Sequence, residues 1–418
     1  MNITKQLLKK YNKTNSLLVV SSYPKKGQTY SKGVCAVASF TKNTLKALQH
    51  SNPDKKIVVL TIAIKKNEIY EEDGMLIVRC FKRNNPFSYM NLFQQSKTFT
   101  KIKNVLVEFE FSSFGDTLTT GSLLFFIWSL LFIGKKITLV IHQVLLNISN
   151  LSGHIGISPK NNLIKIFNYS LKLYYKALTI PVRSIVVLEN EFKNRLVKHI
   201  GNGKKITVIP HGIDTAFNQN MSKVRARTKL NLDKNEVIIL YFGYLTWYKG
   251  ADFLINAFRR INHVDGKKIR LVVAGGPSFT QEKKRHYQDF LKKLNRLAKD
   301  KKQITLTGFV TEEKIPLYFQ ASDIVVFPYR TFMSSSGSLA TAIAFKKPFI
   351  LSKKMAQLLD ASDIQYALKH MGLNQNDIIF SLTPQDLIKA VQFALRPKIN
   401  KKLIALSKLI AERRSFMR

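Results

Sequence analysis

Short apolar runs bounded by turn residues recur along the chain, and the longer segments between them carry apolar residues at helical spacing. Residues 17–22 (LLVVSS) open the series as a buried strand. A polar loop over 23–34 then leads into helical spacing over 36–50 (AVASFTKNTLKALQH). Further strands are expected at 56–63, 75–81, 105–111, 137–142, 184–188 and 205–210, with helical segments at 123–133, about 163–178 and 190–199. Such alternation of buried strand and amphipathic helix predicts a doubly wound α/β domain. The series ends in a turn, VIPHGID (208–214), and polar sequence follows to about Glu236.

The same grammar restarts beyond that point. Strands are expected at 237–245, 269–274, 304–306, 324–328, 349–352 and 377–381, and helices at 251–261, 281–297, 316–322, 339–345, 355–371 and 385–395. An amphipathic basic helix is expected over 401–418. The pattern therefore predicts an α/β chain of two doubly wound domains, 1–225 and 226–395. A last segment, 396–418, is expected to cross back to the first domain. Two such domains facing each other would form a cleft, the usual place for a ligand.

Composition narrows the class. The chain has 418 residues, 45% hydrophobic and 22% charged, which suits folded domains rather than disorder. Two cysteines, Cys35 and Cys80, supply neither a disulfide framework nor zinc spacing, so a reducing compartment is expected. The first fifteen residues are basic and polar and lack the apolar core of a secretory signal. Residues 117–134 are uncharged, but the strongly apolar part, 123–133, is short for a bilayer span and is expected to be a buried crossover helix. The net charge of +41 is attractive to nucleotides, anionic lipid or nucleic acid. Its lysines are spread along the whole chain, so it selects no partner by itself.

Chemistry concentrates in 324–352 (IVVFPYRTFMSSSGSLATAIAFKKPFILS). A strand there feeds a Ser/Gly loop at the start of a helix, where unpaired N–H groups, hydroxyls and the helix dipole suit a phosphate. An ordinary N-cap with a flexible loop accounts for the same residues. Lys249, at a strand-to-helix turn, could neutralise charge on a departing diphosphate, and Gly250 lets the following helix start tightly. His142 ends a buried strand, and His211 sits in a turn. The sequence contains no Asp-x-Asp, no Gly-x-Ser-x-Gly, no P-loop and no cluster with metal-ligand spacing.

Five landmarks stand in register: VIPHGID, YFGYLTWYKG (241–250), VVAGGPS (272–278), TGFVTEEKIPLYFQASDIVVFPY (307–329) and SSSGSLATAIAFKKPFILS (334–352). With SSYP after the first strand and VIHQVLL (140–146), they closely resemble the retaining GT-B glycosyltransferases of sequence family 4, over nearly the whole chain. The resemblance implies a GT-B fold and a cytoplasmic hexosyltransferase of glycan biosynthesis. It would move sugar from a UDP- or GDP-linked donor to a glycan, lipid-linked or small-molecule acceptor, without metal or other cofactor. It implies Lys249 as the diphosphate lysine, His142 near the transferred sugar and Val310 as the backbone contact for the base. Tyr244 stands where the family has an arginine, a loss that Arg330 could make good. The family's paired glutamates fall on Met333 and Thr341. The loop Ser334, Ser335, Ser336 and Gly337 resembles a variant in which serines replace the acidic motif, with Thr341 left to bond the donor ribose. Where relatives carry a glycine pair for the diphosphate, Cys35 and Ala36 stand here, with Gly33 just before. Cell-envelope acceptors and a basic surface together imply peripheral contact with an anionic membrane. The missing glutamates leave open an inactive or regulatory homologue, a sugar-nucleotide epimerase of similar fold is a second rival, and charge alone suggests a nucleic-acid binder, although no nucleic acid is expected as a partner.

Overall fold

In a computed structural model, residues 3–156, 158, 162–217, 221–259, 261 and 263–416 are described, apart from the Asn150 side chain. The chain divides into two compact units: Met1–Ile148, Asn162–Pro210 and Met333–Ser335 form the first, and Ser149–Asn161, His211–Phe332 and Ser336–Arg418 the second.

The first unit is built on strands β1 (Leu17–Val20), β2 (Ile57–Ile62), β3 (Glu68–Glu72), β4 (Met75–Phe81), β5 (Asn104–Phe109), β6 (Lys136–Ile141), β7 (Ser184–Val187) and β8 (Ile206–Val208). They lie in the order β3-β4-β2-β1-β5-β6-β7-β8, all pairs parallel except β3 with β4. Helices α1 (Lys5–Tyr11), α2 (Val37–Ser51), α3 (Ser88–Thr98), α4 (Phe111–Phe114), α5 (Thr117–Phe132), α7 (Leu163–Thr179) and α8 (Asn190–Ile200) accompany them, while the short α6 (Ser152–Ile155) belongs to the second unit. Branched aliphatic strands such as Met75–Phe81 are buried along their whole length, as a sheet covered on both faces requires. The chain winds outward from β1 and returns to β5 beside it, so the ends of β1 and β5 flank the crevice where such sheets hold ligands.

The strand β3 has no counterpart in the apolar pattern. Its residues, Glu-Ile-Tyr-Glu-Glu, are half-exposed at the sheet edge, and it is joined to β4 by the tight Asp73-Gly74 turn. The uncharged crossover segment forms α5, longer than its apolar core. Leu123, Phe126, Ile127 and Leu130 are buried, but Leu118, Phe125 and Phe132 face outward, so this helix is only half the core element expected.

The second unit carries β9 (Val237–Phe242), β10 (His263–Val264), β11 (Lys267–Ala274), β12 (Ile304–Leu306), β13 (Ile324–Phe327), β14 (Phe349–Ser352) and β15 (Ile379–Phe380). The order is β10-β11-β9-β13-β14-β15, with β12 also pairing β11. Its helices are α9 (Lys223–Lys229), α10 (Ala251–Phe258), α11 (Arg285–Ala298), α12 (Ile315–Ala321), α13 (Gly337–Ala344), α14 (Ser362–His370), α15 (Pro384–Leu395) and α16 (Pro397–Arg414). The switch of winding direction here falls between β9 and β13. The single helix expected over 355–371 is a 3-10 helix, Lys353–Asp360, broken from α14 at Ala361.

Two expectations about organisation change. The division falls at Pro210, not at residue 225, because the residues after it are tied into the second unit. Ile213 donates to the Arg414 carbonyl at 2.7 Å and accepts from the Phe416 amide at 3.1 Å, and the buried Arg227 of α9 donates to the carbonyls of Ala321, Lys234 and Glu236. The last helix, expected to cross to the first domain, stays on the second unit against α13, α14 and α15. Leu403, Leu406 and Ile410 are buried there, Ser407 donates to the Lys347 carbonyl at 2.7 Å, and Arg414 grips Asp363 with two bonds.

Candidate active site

In the second unit the loops after β9 and β13 converge on Gly243. Its φ is +130°, outside the range that L side chains readily adopt, and a β-carbon there would lie 2.6 Å from Ser338 Oγ and 2.9 Å from Lys249 Nζ. The lysine ammonium and the first turn of α13 therefore border one spot. Lys249 ends a 3-10 turn, Trp247–Lys249, and a β-carbon on the next residue, Gly250, would fall 2.0 Å from the Pro328 carbonyl oxygen. The turn is thus pressed against the end of β13, which fixes where the lysine can reach.

Lys249 Nζ lies 5.7 Å from the ring centre of Tyr329. Burial works against its charge, but the hydroxyls of Tyr329 and Tyr248 outweigh burial and hold the ammonium above the ordinary lysine range.

Ser336 is the N-cap of α13, its Oγ accepting from the Leu339 amide at 3.2 Å and lying 3.2 Å from Tyr329 Oη. Ser335 clusters with the first unit, where its hydroxyl donates to Glu189 Oε1 at 3.0 Å, and Ser334 belongs to the same segment. Helix geometry leaves the Gly337 and Ser338 amides without an intrahelical acceptor, as at any helix start. Thr341 is buried and donates its hydroxyl proton to the Gly337 carbonyl at 2.9 Å, which leaves it only acceptor capacity toward a ribose.

Arg330 is engaged elsewhere. Its guanidinium makes two bonds to the buried Asp252, at 2.8 and 3.0 Å, donates to the Trp247 carbonyl at 2.6 Å and stands over the Trp247 ring. These bonds brace the turn that carries Lys249. Burial alone would raise the Asp252 carboxyl, but Arg330 and then Lys293 outweigh it and hold the carboxyl below the ordinary aspartate value. Tyr244 turns its ring toward Phe279 and Phe309, with centroids 6.5 and 6.3 Å away, and Val310 is buried just beyond Phe309.

In the first unit, His142 follows β6 and is buried, its Nε2 2.5 Å from Glu108 Oε2, with the Phe40 ring edge-on at 4.7 Å. Glu108, at the end of β5, is equally buried. A carboxylate against one ring nitrogen fixes the ring's orientation and tautomer, so His142 is held rather than loose at a rim. Cys35 lies 3.3 Å from Ser113 Oγ, and burial pushes its thiol up, leaving it neutral. Ala36, the residue before α2, and Gly33 are exposed, and a side chain on Gly33 would meet no neighbour. Beneath this loop, the buried Lys42 donates to the Gln28 carbonyl and to Glu72 at 2.9 Å each, while the buried Arg79 donates to the carbonyls of Tyr23 and Pro24. Among the described residues, no three His, Cys, Asp or Glu side chains gather.

Tyr329, Ser338, Asp252 and Glu108 were not among the residues singled out from sequence. Glu108 carried a signal, since a carboxylate inside the apolar run VLVEF must find a buried partner. Gly243→Ala tests the convergence. The strained φ is expected to cost about 1 kcal/mol, and displacing Lys249 should weaken diphosphate binding roughly tenfold. Thermal denaturation and calorimetry read the two effects separately.

Solved structures place this fold. A sucrose-phosphate synthase from Thermosynechococcus elongatus superposes with a TM-score of 0.68 at 15% identity, covering 96% of this chain and 94% of that one. A glycosyltransferase from Rickettsia africae gives 0.66 at 17% identity, covering 97% and 95%. Anabaena HepE, solved with UDP and glucose, gives 0.62 at 13% identity, covering 96% and 95%. The architecture is GT-B, two Rossmann-like units in series. Within it, residues 222–360 match the family model described as Glycosyl transferases group 1. An uncharacterized glycosyltransferase of Methanocaldococcus jannaschii is 28% identical over 128 residues, 30% of each chain. The lipopolysaccharide 1,2-N-acetylglucosaminetransferase of Salmonella typhimurium is 22% identical over 171 residues, 40% of this chain and 44% of that protein. The chain thus aligns with less than half the length of these curated relatives.

Proposed function

We propose that the protein transfers a hexosyl group from a nucleotide-sugar to an acceptor hydroxyl, with retention of configuration and without a metal. The observation that carries this reading is the spot beside Gly243, bordered by Lys249 and the first turn of α13. The bond between the anomeric carbon and the diphosphate oxygen breaks, its electron pair leaving on that oxygen. The acceptor oxygen forms the new bond and its proton passes to the departing diphosphate. Lys249 and the amides of Gly337 and Ser338 stabilise the charge that grows there. Val310 and the aromatic group of Tyr244, Phe279 and Phe309 are assigned to the base and Thr341 to the ribose; in the first unit, His142 is assigned to the transferred sugar and the segment of Gly33, Cys35 and Ala36 to the acceptor and diphosphate.

Neighbours solved with UDP and with UDP-glucose favour a uridine donor over a guanosine one, and the Salmonella relative favours a cell-envelope glycan as acceptor. Such work belongs in the cytoplasm. Calorimetry with UDP, GDP, ADP and their sugar conjugates tests the donor. One base should bind clearly and raise the melting temperature, by about 2.7 kcal/mol of stability at a hundredfold excess over Kd. Absence of binding by all three would overturn the reading.

One observation favours a second reading. Thr341 stands where a glutamate would serve and spends its proton inside α13, which suits a nucleotide-sugar sensor of the same fold. Donor binding without turnover or donor hydrolysis would establish it.

A further inference from the structure

Exposed large apolar side chains are concentrated on neighbouring helices of the first unit. On α5, Leu118, Phe125 and Phe132 recur every seven residues along the outward face, and the two phenylalanines are 80% and 82% exposed. On α7, Ile166, Tyr169 and Leu173 form an exposed row that ends at Ile180. The opposite faces are buried: Leu123, Phe126, Ile127 and Leu130 of α5, and Ile164, Tyr175 and Leu178 of α7. The two helices are fastened to each other, Trp128 Nε1 donating to the Ala177 carbonyl and Tyr174 Oη to the Thr120 carbonyl, both at 3.1 Å. Their outward faces therefore form one surface.

Charge on this surface has one sign. The exposed Lys165, Lys172 and Lys176 line the flank of the α7 apolar row, offset from it by about a quarter turn or less at ~100° per residue. No Asp or Glu occurs between Asp116 and Glu189. The N-terminal edge of α3, which packs beside α5, adds the exposed Phe87 and Met90, and that helix has no acidic residue either. An apolar stripe with a basic flank is the pattern of a helix lying in a bilayer interface. Among the described residues no helix is long and apolar enough to cross a membrane. A second copy of the chain would set lysine row against lysine row with no carboxylate to answer it, whereas anionic headgroups answer it directly.

We propose that the α5–α7 face docks this protein on the surface of an anionic phospholipid bilayer, Phe125 and Phe132 entering the acyl boundary and Lys165, Lys172 and Lys176 meeting the headgroups. This docking stands independently of the glycosyl-transfer reading. The full chain is sedimented with phosphatidylcholine vesicles, with and without phosphatidylglycerol. Because a net charge of +41 draws any part of the chain to anionic lipid, the decisive variant changes no charge: Phe125→Ser with Phe132→Ser. It should bind the anionic vesicles at least roughly tenfold more weakly than the parent. Lys165→Glu with Lys172→Glu should weaken binding similarly. Melting temperature and nucleotide affinity should be unchanged in both variants, so loss of docking is separable from loss of donor binding. Equal sedimentation of parent and serine variant, or no dependence on phosphatidylglycerol, would overturn the proposal. So would a dimer in light scattering that the serine variant dissociates, which would assign the face to a second copy.

Discussion

Lys249→Ala is expected to lower kcat/KM with the preferred nucleotide-sugar by at least roughly a hundredfold, the effect of removing one preorganised positive group from a developing oxyanion. Affinity for the nucleoside diphosphate should fall by about 2 kcal/mol, the value of a charge-assisted hydrogen bond. Stability should hardly move, because the Lys249 ammonium stands 5.7 Å from the Tyr329 ring centre and, among the described residues, forms no ion pair with a carboxylate. The combination discriminates: a structural lysine would show its loss in the melting temperature and not in binding. Initial rates, calorimetry and thermal denaturation on one preparation decide it.

Arg330→Ala should do the reverse. Among the described residues, the substitution leaves the buried Asp252 with Lys293 as its one remaining cation, at 3.2 Å and with an exposed side chain. Breaking a buried pair in this way costs about 3 kcal/mol, read as a shift in the denaturant midpoint at constant slope. Arg330→Lys should recover only part, since a point charge cannot reproduce the two bonds to Asp252 and the bond to the Trp247 carbonyl together. The pH dependence has a definite sign. A carboxyl whose folded pKa is depressed contributes stability above its unfolded value, near 4, and loses it as pH falls through the folded value. The parent should therefore keep the contribution of Asp252 to lower pH than Arg330→Ala does. An unchanged midpoint, with nucleotide binding lost instead, would return the guanidinium to the phosphate.

The sheets were legible because parallel strands buried on both faces leave continuous apolar runs. The strand β3 was not, because an edge strand keeps only half its side chains from water and Glu68–Glu72 therefore reads as polar. Its one local sign was the Asp-Gly pair before Met75. Lys249 could be read from its place at a strand-to-helix turn, a local feature. Which atoms surround it depends on a contact between loops about eighty to ninety residues apart, so Tyr329 and Ser338 carried no mark in the sequence. The partner of Arg330 was hidden for the same reason, since only the fold brings Asp252 against it. An apolar crossover helix such as α5 shows no polar face from which to tell a core helix from one that keeps four large side chains in water.

The pairing of Ile213 with the chain at Arg414 and Phe416 has a consequence for synthesis on the ribosome. The strands of the first sheet have all been made once Val208 emerges, so that sheet can assemble early. The second unit waits for another two hundred residues. Until α16 arrives, the surfaces of α13, α14 and α15 that bury Leu403, Leu406 and Ile410 stay open to water and to any other nascent chain. A fragment cut at residue 395, where the sequence pattern alone would end the domain, keeps every strand of its sheet and loses the helix that closes it. Chaperone demand and aggregation during synthesis should therefore concentrate on the interval between the last strand and Phe416.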